Sequence, residues 1–175
     1  MGIEIPPLLT IEALFGVRGA PTDQDDLDRL SDRIRTLCGW HIAPEITETV
    51  TLDSYGQDTL LLPTLHLVDV AAVKYWNGTE LADVAGWDSR TGWSPRSCTI
   101  HKPGGFPIGR RIIEVTMVHG YTEPPSAILD AIAEIVEPGR IVQESIGSRS
   151  VSFAESAPVW GAVGTLSRYR LGPRP

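Results

Sequence analysis

The sequence predicts an α+β protein, a small helical bundle with an inserted antiparallel β region, then a C-terminal hairpin and an extended tail. Three observations carry this. Apolar residues recur at three- and four-residue steps in 23–38 and in 125–136, which places each set on one helix face. Between them, 45–121 holds short β-branched runs separated by turn residues. Of the 175 residues, 42% are hydrophobic, enough to bury a real core and to rule out wholesale disorder.

Four segments follow from the pattern: 1–44 as the N-terminal helical part, 45–121 as the β insertion, 122–155 as the second helix with its hairpin, and 156–175 as the tail. In the first, Thr10 can cap a short helix over 11–15 that stops at Gly16. Thr22 and Asp25 then read as a capping pair, with Asp23, Asp25 and Asp26 loading a first turn that the helix dipole favours for acids. Leu27, Leu30, Ile34 and Leu37 form the apolar stripe, and Gly39 ends the helix. The acids and arginines of this helix read as a solvated face.

In the insertion, 47–52 alternates and precedes the turn at 53–58. Residues 59–63 form a short apolar run. A long strand over 67–76 ends at Asn77-Gly78, a hairpin signal, with a return over 79–84. Residues 86–109 are rich in turn formers and read as loop, before a strand over 110–121. Pro124 and Pro125 can start the second helix, whose stripe is Ile128, Leu129, Ile132, Ile135 and Val136, and Pro138-Gly139 ends it. Residues 140–153 read as a hairpin around Gly147. The tail allows at most a helical turn near 163–169.

Composition narrows the function. A net charge of −7 argues against a protein that grips phosphates, which needs a basic face. Cys38 and Cys98 cannot build a disulfide framework or a four-thiolate zinc site, and read as buried free thiols in a reducing cytoplasm. The N-terminus lacks a signal-peptide pattern, and no run approaches the ~18 apolar residues that span a bilayer. His41, His66, His101 and His119 lack metal-ligand spacing, although His66 and Asp69 could share a face or an edge. No nucleophile elbow is present, and the loop KPGGFPIGRR lacks the phosphate-cradle pattern and leads into a strand. The expectation is no enzyme activity, no catalytic residue, no metal and no cofactor. Trp40, Trp76, Trp87, Trp93 and Trp160 read mainly as core fillers, with Trp87 and Trp93 the candidates for exposure.

Two regions carry a resemblance. One is LCGWHIAPEITETVTLDSYGQDTLLLPT after the N-terminal helix. The other is HGYTEPPSAILDAIAEIV, then VQESIGSRSVSF, then LSRYR near the end. In this order they resemble the head-to-tail connector (adaptor) proteins of long-tailed bacteriophages, over about residues 8–170. The resemblance implies a virion protein without enzymatic activity. It would be made in the host cytoplasm and placed at the head–tail interface, where twelve copies form a ring under the portal. A stopper or tail-completion protein would bind the opposite side. Genome DNA would pass through the channel without sequence-specific binding, and no membrane would be involved. The long β insertion departs from minimal, nearly all-helical members.

The tail from 156 to 175 carries no acid and three arginines. Trp160, Leu166, Arg168, Tyr169 and Arg170 are the residue types that dominate interface energy, so this segment is expected to dock on the portal. The rival reading from another class is a small β-rich module that binds carbohydrate or protein through exposed tryptophans.

Overall fold

The computed structural model describes residues 7, 8, 10, 23–90, 92, 93, 98–136, 164 and 166–171. The chain divides into two compact units. One comprises Met1–Gly39 and Pro124–Arg170, the other Trp40–Glu123 and Leu171–Pro175. The expected helix over 11–15 and hairpin over 140–153 lie outside the described residues. The mixed α+β class is the one the sequence predicts, and the described residues are mostly β.

In the helical unit, α1 spans Gln24–Cys38. Its N-cap is Asp23 rather than the expected Thr22. The Asp23 carboxylate accepts the Asp25 N–H at 2.6 Å, satisfying one of the donors left open at a helix start. Gly39 closes the helix in the left-handed region, φ 78°, and donates its N–H to the Arg35 carbonyl at 2.7 Å. The buried stripe is Leu27, Ser31, Ile34, Arg35 and Cys38. This corrects the expected stripe, because Leu37 is 43% exposed and Arg35 is not on a solvated face. Ser31 earns its inward position by accepting the Leu8 N–H at 3.1 Å. Helix α2 spans Ser126–Val136. The Pro125 carbonyl accepts the N–H of Ile128 at 2.8 Å and of Leu129 at 3.3 Å. Ile128, Ala131 and Ile132 are buried, at the i, i+3, i+4 spacing of one face.

Among the described residues the β unit contains two antiparallel sheets. The larger uses β1 (Ile46–Ser54), β8 (Gly109–His119), β3 (His66–Trp76) and β4 (Leu81–Asp83) in that order, with β6 (Gly92–Trp93) also paired to β3. The smaller runs β2 (Thr59–Leu61), β7 (Thr99–His101), β5 (Asp88–Arg90). The stretch 86–109, expected to be loop, thus contributes three short strands. Runs of two or three residues carry no alternation that a sequence can display; pairing of β7 with β2, of β5 with β7 and of β6 with β3 makes them strands. The turn at Asn77 is a four-residue loop rather than a two-residue one. Asn77 Oδ1 accepts the N–H groups of Thr79 and Glu80, and Trp76 pairs with Leu81.

The core of this unit draws on both sheets: Leu60 and Ile100 from the small one, Leu67, Val70, Val73, Ile113, Val115 and Met117 from the large one. Leu62, Val84, Cys98 and Phe106 complete it. Each such side chain contributes about 1.5–3 kcal/mol by leaving water.

Candidate functional site

Two places gather the residues that the sequence singles out, one in each unit. In the β unit the two motif pieces GWHIAP and HGY, nearly eighty residues apart, meet in one corner. The chain between them is the sheet itself. β1 leaves from Ile46 and β8 returns to His119, and these two residues are register partners. Beyond that pair, the Tyr121 N–H donates to the Ile42 carbonyl at 2.7 Å and the Gly120 N–H to the His66 carbonyl at 2.9 Å. Gly120 has φ 102°. A Cβ there would stand 2.8 Å from the Pro44 carbonyl oxygen and 3.2 Å from that of Ile42. The Ala43–Pro44 peptide is cis, and Ile42 sits at φ 72°.

Aromatic rings fill this corner. Tyr121 lies against His66, centroids 4.2 Å apart, and against Trp40 at 6.0 Å. His41 and His119 meet edge to face at 5.8 Å. Each histidine is held through one ring nitrogen. His66 Nδ1–H donates to the Gly120 carbonyl at 2.8 Å, and His41 Nε2–H donates to the Pro44 carbonyl. His119 Nε2–H donates to Glu48 Oε2 at 3.1 Å. Carbonyls and carboxylates only accept, so these bonds fix which nitrogen carries the proton.

Burial holds the His119 pKa below its ordinary value, and Glu48 opposes that shift. His119 Nδ1 is buried without a hydrogen-bond partner among the described residues, so a second proton there would have no acceptor. His66 thus ties the start of β3 to the end of β8, and His119 ties β8 to β1. Asp69 is exposed, and His66 spends its Nδ1 on Gly120 instead. Among the described residues no group of three His, Cys, Asp or Glu could hold a metal ion.

The second place is the C-terminal turn of the helical unit. Ser167–Tyr169 is a single 3-10 turn, matching the short helical turn expected near 163–169. Ser167 Oγ donates to the Gly164 carbonyl at 2.6 Å. Leu166 is buried, at 4% exposure, whereas Arg168 and Arg170 are exposed and Tyr169 is half-buried. Of the expected docking set, Leu166 is therefore taken up inside the chain, and Trp160 lies outside the described residues. Arg170 bears on Cys38 at the end of α1. Burial pushes that thiol up to about 11, with the Arg170 charge pulling the other way. Arg35 is paired with Asp32 at 3.7 Å, and burial lowers its pKa.

The tryptophans divide. Trp40 is buried, Trp87 packs against the β core, and Trp76 is 48% exposed. Of the two rings in the rival reading, Trp87 is half-buried against the β core, and the side chain of Trp93 lies outside what is described.

No family model matches the chain, and no curated protein matches it in sequence. Solved structures do match its fold. One is a chain in the neck of an empty GTA particle computed with C6 symmetry, 18% identical, covering 89% of this chain and 84% of that one, TM-score 0.55. A second is a chain in the neck of the native GTA particle computed with C12 symmetry, 16% identical, covering 87% of each chain, TM-score 0.56. A third belongs to the virion of a native gene transfer agent (GTA) particle, 16% identical, TM-score 0.51. This chain has the fold of those neck and virion chains, helical unit and β unit together.

Proposed function

We propose that this chain is a structural, non-enzymatic virion protein of the head–tail neck, the connector (adaptor) that joins a portal to a stopper or tail-completion protein. The observation that carries the reading is the extent of the likeness. It takes in nearly nine-tenths of this chain, so the β insertion and the helical unit recur together in a chain from a neck. The C12 symmetry of one such neck supports a ring of twelve copies. Ring closure requires each subunit to present two different, complementary faces. A net charge of −7 suits a channel wall past which DNA must slide, since strong phosphate contacts would hold it back.

Docking to the portal is assigned to the C-terminal segment, with Arg168, Tyr169 and Arg170 as its solvent-reaching part, Leu166 as the anchor of the turn, and Trp160 completing the set. Guanidinium groups pair bidentately with carboxylates, which suits an acidic portal surface. The test is binding of the full chain to purified portal rings from the same particle, with Arg168→Glu and Arg170→Glu combined as the variant. Wild-type rings on the portal, lost in the double variant at unchanged Tm, support the reading. Absence of portal binding by the full chain contradicts it.

A further inference from the structure

We infer that the tip of the β unit formed by Tyr55, Ile108, Arg110 and Arg111 is the face by which one copy of this chain docks on the acidic surface of the next. The inference rests on the ring reading above. Ser54 and Gly109 are register partners at the end of the β1–β8 ladder, and the four residues lie within two positions of that pair. The ladder skips there. Between the pairs Leu52–Ile113 and Ser54–Gly109, Asp53 alone faces Arg110, Arg111 and Ile112, a bulge in β8. Continued alternation with the buried Ile113, Val115 and Met117 would put Arg111 on the core face. The bulge brings it out instead, at φ 51°, a backbone region that a long side chain seldom takes. Asp53 holds that backbone by accepting the Arg111 N–H at 2.7 Å. Both arginines are exposed, and neither guanidinium has a hydrogen bond or ion pair among the described residues.

Ile108 and Tyr55 are the most exposed large apolar side chains among the described residues, at 77% and 74%. They share the tip, since a Cβ on Gly56 would lie 3.1 Å from Ile108 Cγ1. Main-chain bonds brace the two loops. The Lys102 N–H donates to the Asp58 carbonyl at 2.7 Å, and the Phe106 N–H to the Gln57 carbonyl at 3.0 Å. An exposed tyrosine and free guanidinium groups on a braced support are the make-up of an interface hot spot.

The occupant follows from charge. Residues 53–58 and 102–111 hold Lys102, Arg110 and Arg111 against Asp53 and Asp58, a net of +1, which leaves −8 on the remainder of the chain. A second copy therefore meets the tip with the opposite sign. The start of α1 is one such surface: Asp23, Asp25 and Asp26 are exposed, and of these only Asp26 has an ion pair among the described residues. A basic tip and an acidic surface elsewhere on the chain are two different faces, as a head-to-tail ring requires. DNA fits less well, since phosphates gain nothing from Ile108 and are repelled by Asp53 and Asp58.

Sedimentation velocity and native mass spectrometry on the full chain, alone and with purified portal rings, compare wild type with R110E/R111E, with Tm measured alongside. The expected result is assembly by wild type, weakened by salt. For R110E/R111E the concentration needed rises by about tenfold or more at unchanged Tm, the effect of turning two attractions into repulsions. In assembled R110K made from equal parts of unlabelled and nitrogen-15-labelled chain, a zero-length carbodiimide is expected to join position 110 to a carboxylate of a differently labelled copy. Equal assembly by R110E/R111E overturns the docking and leaves the ring reading intact. Cross-links confined to one copy, or running to the portal, overturn it as well. If the variant keeps assembly and loses binding to duplex DNA, the tip is a phosphate contact and the inference fails. Wild-type assembly that the variant loses, without any portal binding, supports the docking while the neck reading falls. A wild-type chain that assembles neither alone nor on the portal overturns both. If R110E/R111E loses its Tm, R110Q/R111Q takes its place, and assembly by that variant at wild-type concentrations overturns the inference.

Discussion

Gly120 and Pro44 approach so closely that a single methyl group cannot be fitted between them. A Cβ on Gly120 would lie 2.8 Å from the Pro44 carbonyl oxygen, inside van der Waals contact. The obstacle is backbone, and φ is 102°, so neither a rotamer change nor a small shift relieves it. Gly120→Ala is expected to cost about 2–3 kcal/mol. For a chain of this size that is a fall in Tm of roughly 4–12 °C. Thermal denaturation checks it; an unchanged Tm would show that the corner is not a fixed joint.

His119 sets the sign of the acid response. Above its ordinary pKa of 6.5 the residue is neutral both folded and unfolded. Below 6.5 the unfolded chain takes up a proton that the buried imidazole resists, so stability falls from there down toward the folded pKa. Glu48 partly offsets the fall by favouring the charged ring. Chemical denaturation at a series of pH values between 7 and 5 is expected to show this decline, and His119→Gln is expected to flatten it. A wild-type profile that rises on acidification would contradict the assignment.

Both cysteines are buried, and the Cys38 thiol is pushed up to about 11. Native protein at pH 8 is therefore expected to resist an aromatic disulfide reagent, and guanidinium-unfolded protein to react at both sites. Fast labelling of the native chain would place Cys38 at a surface.

Ser31 and Leu8 make a narrower test of the helical unit. Removing the hydroxyl by Ser31→Ala leaves the Leu8 N–H unmet in a buried place, at a cost of about 1–3 kcal/mol. Urea denaturation of the variant checks this. Threonine at 31, which keeps an acceptor, is expected to retain more of the stability than alanine.

How much of this was legible in the sequence depends on the range of the contacts. α1, β1, β3 and β8 are long and periodic, and their residues declare them. The small sheet was not legible, because Asp88–Arg90 and Thr99–His101 are strands only through pairing with each other and with β2. The stripe on α1 was misjudged by part of a turn. Leu37 is apolar yet outside, while Arg35 and Ser31 are polar yet inside; Ser31 has the Leu8 N–H and Arg35 the Asp32 carboxylate to meet. The corner was half legible. HGY and GWHIAP stood out as motifs, but nothing in either announces that Gly120 must fit beside Pro44. The docking set was assembled from residue type alone, and type does not reveal that Leu166 is buried.

The proposed role of this chain is a neck ring on a portal. The most direct measurement is the mass and symmetry of the complex formed when the full chain is mixed with purified portal rings of the same particle, by native mass spectrometry and electron microscopy. The expected result is a ring of this chain seated on one end of the portal, twelve copies per portal ring, by likeness to the neck computed with C12 symmetry. Portal rings that come away bare, or with the chain scattered in no fixed number, would contradict it.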